Sequence, residues 1–162
     1  MGKKRGQLLS QPFIFIFILV VIAVTIVFGA DVIKKVLVIG EDVELVRFKE
    51  SLKREADLFY NLDPGSVKSI ELSVPMGITY VCFIDRDKEL DLENVPDEET
   101  ATLIEALKDN NMFFITNVQD WVRPINVRYL KPEGENPLCI KTPGRLRAKI
   151  ESRGRYVSIS KI

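Results

Sequence analysis

The chain of 162 residues contains no histidine. That absence removes the commonest general base and the commonest transition-metal ligand. It also leaves only the rarer nucleophile arrangements open to serine, lysine and cysteine. No glycine-rich phosphate loop is present; Gly134 and Gly144 stand alone as turn residues. Many carboxylates lie near one another in sequence, which says nothing about glycosidase chemistry. An enzyme is therefore not expected, and no cofactor is expected. A net charge is lacking as well: 23 basic and 23 acidic residues cancel, so nothing in the total asks for nucleic acid as a partner. Cysteine is scarce, with only Cys82 and Cys139. Both lie in apolar, strand-like runs. A bridge and two plain buried thiols each fit such runs. A bridge would close about 57 residues and would stabilise the domain by about 4 kcal/mol through lost chain entropy.

Against these absences stands one long uncharged run. Phe13 to Ala30 reads FIFIFILVVIAVTIVFGA, and Pro12 extends it to about 19 residues. At 1.5 Å per residue that is about 28 Å, close to the thickness of a bilayer core. Lys3, Lys4 and Arg5 precede it with no acidic residue beside them. The pattern predicts a transmembrane helix over 12–30, a cytoplasmic basic tail over 1–11, and everything beyond Asp31 outside the membrane. The predicted localisation is a single-pass cell-membrane protein with the bilayer as a partner. The roughly 130 remaining residues suit one compact domain.

From 31 to 61 the pattern is helical. Val32, Val36, Ile39, Val43 and Val46 form one stripe; Leu45, Phe48, Leu52, Ala56 and Phe59 form a second, slipped by about one residue. A helix bent near Gly40 and two helices joined by a short turn both absorb the slip. Asn61-Leu-Asp-Pro-Gly-Ser66 is the strongest turn. After it the period falls to two. VKSIELSV and ITYVCFID read as a hairpin, the second strand apolar on both faces. Pro96-Asp97-Glu98-Glu99 opens a short helix carrying Ala101, Ile104 and Leu107. MFFITNV and WVRPINVRYL read as strands, the latter at an edge or carrying a bulge because of Pro124. LCIKT, LRAKIES and RYVSISKI read as a C-terminal meander. The predicted fold is α+β: a long N-terminal transmembrane and amphipathic helix, then an antiparallel sheet of about six or seven strands over 62–162 with one short inserted helix.

Lys3-Lys4-Arg5-Gly6-Gln7 before a long apolar helix resembles the class III signal peptide of archaeal type IV pilins and related surface-filament subunits. The resemblance covers roughly residues 2–30. It implies cleavage between Gly6 and Gln7 and retention of the apolar helix as the element through which copies associate. Two residues depart from the pattern. The fifth position after the cut, often glutamate in pilins, is Gln11, and the sixth is Pro12. An uncleaved signal anchor, whose basic residues only set topology, is the other reading of the same segment. YNLDPGSVKSIELSVPMGITYVCFID resembles small archaeal single-pass proteins and implies no activity. The functional expectation is an anchored extracytoplasmic structural protein, a pilin-like subunit or accessory of a surface filament. The alternative is an outer module that binds an envelope component or partner protein.

Two charged tracts carry weaker expectations. Asp85, Asp87, Glu89, Asp91 and Glu93 are spaced by two, so in an extended chain they would share one face. Asp85, Asp87, Glu89 and Asp91 would then be a candidate calcium site. Leu90 and Pro96 break the EF-hand loop pattern, and a solvated loop is the default. From Lys141 to Lys161, seven basic residues face only Glu151. Without interleaved exposed aromatics this tract is a solvated sheet face rather than a nucleic-acid surface.

Overall fold

A computed structural model of the chain describes the backbone of residues 10–117 and 122–162, and the side chains of 14–29, 43–117 and 122–162. Gly6 and Gln7 lie outside the described residues. The chain divides into two compact units, Met1–Asp42 and Val43–Ile162.

One helix, α1 (Ser10–Tyr60), begins in the first unit and ends in the second. The two stripes therefore belong to one helix and not to two helices joined by a turn. In the first unit the large apolar side chains of α1 are exposed from Ile14 to Phe28. Thr25, the one hydroxyl among them, donates back to the carbonyl of Val21 at 2.7 Å, as threonines in apolar helices do.

This segment corrects the membrane expectation. Among the described residues, no helix is long and apolar enough to cross a membrane. The described side chains of the run, Ile14–Gly29, number 16. They span about 24 Å at 1.5 Å per residue, short of a bilayer core of about 30 Å. Pro12, Phe13 and Ala30, which carried the count to 19, lie outside the described side chains. The transmembrane, single-pass and signal-anchor assignments are not supported, and neither is the topology with the N-terminus inside and the domain outside.

The second unit holds the C-terminal part of α1 and, among the described residues, a 3₁₀ turn, a second helix and seven strands in two sheets. Phe48, Leu52, Ala56 and Phe59 are buried on one stripe of α1, and Leu45 packs beside them. The helix stops where Asn61 donates its side chain to the Asp57 carbonyl. The chain then turns through Gly65, whose φ of 91° only glycine adopts freely. Strand β1 (Val67–Ser73) pairs with β6 (Arg145–Ser152), which pairs with β7 (Val157–Ser160). The short β4 (Leu130–Pro132) closes that sheet beside β7. The second sheet has β2 (Ile78–Phe83) between β3 (Met112–Thr116) and β5 (Leu138–Lys141). Its central strand is the apolar ITYVCF, covered on both faces as its composition predicts.

Two details differ from a single antiparallel sheet. The strands split into two sheets, so β1 and β2 are not a hairpin and β5 does not join the C-terminal meander, and β4 runs parallel to β7. The run 122–129 is not a strand: Ile125 makes one bridge to Met112, and the ladder starts only at Leu130. Pro124 has no N–H to give a ladder, and the turn at Val127–Leu130 is held by another residue, Asn111.

Two apolar clusters fill the unit. The larger joins α1 to both sheets through Ile70, Phe83, Phe114, Leu146, Ile150 and Ile159 among others. The smaller lies between the other face of the β2 sheet and α2 (Glu98–Ala106), with Ile84, Ile104 and Phe113 at its centre. Asp97 caps α2, accepting from Thr100 N at 2.8 Å.

Candidate functional site

Among the described residues, the apolar part of α1 carries the most exposed apolar surface. Thirteen large apolar side chains between Ile14 and Phe28 are each 46–68 % exposed. They surround the helix because the sequence offers no polar face: Thr25 is the only hydroxyl and there is no charge from Ile14 to Gly29. A helix that is apolar all round is stable only when covered all round.

The second unit is cross-linked. Cys82 and Cys139 form a disulfide, with Cα atoms 4.0 Å apart. The two residues lie directly opposite each other on β2 and β5. That placement brings the Cα atoms together, closer than the usual 4.4–6.8 Å range. The bond ties adjacent strands within one sheet. Cys82 is fully buried and Cys139 nearly so.

The four acidic candidates do not converge. Asp85 is buried and salt-bridged to Lys131 at 3.1 Å. Asp87 is exposed and bonds the same lysine from outside. Glu89 and Asp91 line an open groove of about 720 Å³ with Lys88, Asn94 and Glu135. Asp91 spends its carboxylate on Glu93 N and the Asn94 amide. Among the described residues, no three His, Cys, Asp or Glu side chains gather as metal ligands. Residues 85–91 bend instead of extending, so the two-residue spacing no longer puts the carboxylates on one face. Lys131 supplies the positive charge at the Asp85–Asp87 corner. Its hydrogen bond to Asp87, with Asp85 adding to it, holds the lysine above its ordinary value and Asp87 below the usual carboxylate range. The cavity there is about 180 Å³, below the size of a small-molecule pocket.

The residues that fix this corner were not visible as motifs. Asn136 accepts from Asp85 N and donates to the carbonyls of Asp85 and Glu89, each at 2.9 Å. Asn111 accepts from Val127 N and donates to the carbonyls of Val127 and Leu130. It thereby supports Tyr129, whose φ of 65° is unusual for a side chain of its size. Tyr129 stacks on Tyr60 of α1 with ring centres 3.6 Å apart. Arg86, its pKa lowered by burial, donates to the carbonyls of Ile104, Leu107 and Asn110 and so caps the end of α2. Each of these partners is at least 16 positions away in sequence, which is why no local pattern announces them.

Five of the seven basic residues of the C-terminal tract are ion-paired. Arg145 and Arg147 both bond Glu71, whose pKa is lowered chiefly by Arg145. Lys149 faces Glu151, and Arg153 bonds Glu133 and Glu151. Of the two processing candidates, Gly6 and Gln7, the structure describes neither. No family model, no curated protein and no solved structure matches the chain.

Proposed function

We propose that the protein is structural: a subunit or accessory of a surface filament, resembling the pilins, whose copies associate through the apolar part of α1. The observation that supports this reading is the set of thirteen exposed apolar side chains from Ile14 to Phe28. Full burial of a Val, Leu, Ile or Phe side chain contributes about 1.5–3 kcal/mol. Covering about six of them gives roughly 9–18 kcal/mol, comparable to or above the roughly 4–15 kcal/mol cost of association. Neighbouring copies offer the same surface, so self-association covers it without a second kind of partner. The disulfide and the two apolar clusters suit the domain as a stiff element carried by that helix.

The test is the mature N-terminus of the native protein, read by mass spectrometry. The pilin-like reading expects a chain that begins at Gln7. A chain that retains Lys3 to Gly6 contradicts it. Electron microscopy of the purified native material supplies a second readout: filaments that disappear in Val21→Arg, because a charge is costly within an apolar contact.

A further inference from the structure

The outer face of α1 in the second unit carries a charge pattern that its own chain leaves unused. Opposite the buried stripe lie Val43, Arg47, Glu50, Arg54 and Asp57, all exposed. Their spacing of four, three, four and three is that of a helix–helix seam. Glu44 and Lys53 flank it. Among the described residues, none of these six charged side chains takes part in an ion pair. Exposed apolar residues lie beside the strip at both ends: Val46 (52 %) at its start and Leu58 (55 %) at its end.

We infer that this face binds a second copy of itself, antiparallel, about a two-fold axis at position 52. In that arrangement Arg47 lies opposite Asp57 of the second copy, and Glu50 opposite Arg54. Val46 lies level with Leu58, and Val43 with Asn61. The symmetry makes every pair occur twice, as in an isologous interface. A parallel pair in register sets Glu44, Arg47, Glu50, Arg54 and Asp57 each against its own kind, five like-charge oppositions that disfavour it. A parallel pair slid by three residues again matches acid with base, but sets Val46 against Lys49 and Leu58 against Asn61. The antiparallel pair matches charge and sets Val46 level with Leu58. Lys49 and Glu55 stay out of the seam, because they already hold the Arg123 carbonyl and Lys68 on the domain side. The contact is separate from association through residues 14–28, and a chain can form either one without the other.

Sedimentation of the full chain in a nonionic detergent, which covers the apolar N-terminal surface, tests the contact. A concentration-dependent dimer is expected. Glu50→Arg and Arg54→Glu should each raise its dissociation constant about tenfold, or about 1.4 kcal/mol. The double exchange Glu50→Arg/Arg54→Glu should return it to within about twofold, because the cross-copy pair is restored with its signs inverted. In the slid parallel pair positions 50 and 54 do not face each other, and the double exchange would stay as weak as the single ones. That result overturns the inference, as does a wild-type chain that remains monomeric up to about 1 mM. Val21→Arg, which breaks the other association, should leave this dimer unchanged. If it abolishes the dimer, the seam at 43–58 is not what joins the copies.

Discussion

Two stretches of the same helix behave differently. From Ile14 to Phe28, α1 is apolar on every side and its large side chains are exposed. From Val43 to Tyr60 it alternates, with Phe48, Leu52, Ala56 and Phe59 buried and the residues between them mostly charged. The second stretch is satisfied by its own domain. The first has far more apolar surface and none of it is covered by the described residues. Hydrophobicity alone therefore does not show where a helix finds its partner. Periodicity does: a stripe of one face in four points to a domain core, and an unbroken apolar surface points to neighbours outside the chain.

The sharpest way to break the comparison is to truncate each stretch in turn. Leu52→Ala should cost about 2–5 kcal/mol of domain stability, because a fully buried side chain leaves a cavity. Val24→Ala, on the exposed stretch, should leave the domain melting transition within about 0.5 kcal/mol. Thermal unfolding followed by near-UV circular dichroism reads both. Equal losses would show that the two stretches are not energetically distinct. The disulfide comes next. Cys82→Ser and Cys139→Ser should each cost about 2–4 kcal/mol, and the double variant little more, because either change removes the same bond. Strongly additive losses in denaturant titrations would assign the effect to packing of two separate side chains.

Asn111→Ala should cost about 1–3 kcal/mol by leaving the Val127 N–H and two carbonyls without their partner. Amide exchange should rise first at Val127 and Leu130. The smallest effect is the pH dependence at Asp87 and Lys131. Asp87 is lowered in the folded state, so its contribution is present above about pH 4 and lost as the pH falls through its folded value. Lys131 is raised, so its contribution is present below about pH 10 and lost as the pH climbs through its folded value. Lys131→Met should flatten both limbs of the stability profile. A profile unchanged by that substitution would show that the exposed pair contributes nothing.

The elements that local pattern controls were legible in the sequence. The stripe Leu45, Phe48, Leu52, Ala56 and Phe59 names the buried face of α1, and the turn at Pro64-Gly65 marks its end. Asp97 before two glutamates marks the start of α2. The alternation of Leu146, Ala148 and Ile150 gives the inward face of β6. What failed depended on distant partners. The two-residue spacing of Asp85, Asp87, Glu89 and Asp91 suggested one face only on the assumption of an extended chain. Asn136, 51 residues from Asp85, bends that segment inward. The run after Trp121 looked like a strand because its aliphatic residues alternate, yet Pro124 and the Asn111 clamp remove it from the ladder. The split into two sheets follows from which strands share a core, and composition alone does not carry that. The 19-residue count for the apolar run rested on Pro12, Phe13 and Ala30, and the described side chains stop short of a span.

The central claim is that other copies of the chain cover Ile14 to Phe28. Both native cysteines are held in the disulfide, so Val21→Cys places one reactive thiol on the exposed stretch. Mild oxidation of the native assembly should then link copies to one another through position 21, giving dimers that a reductant reverses. Thiols at position 21 that react readily with a small water-borne reagent, yet never link two copies, would contradict the account.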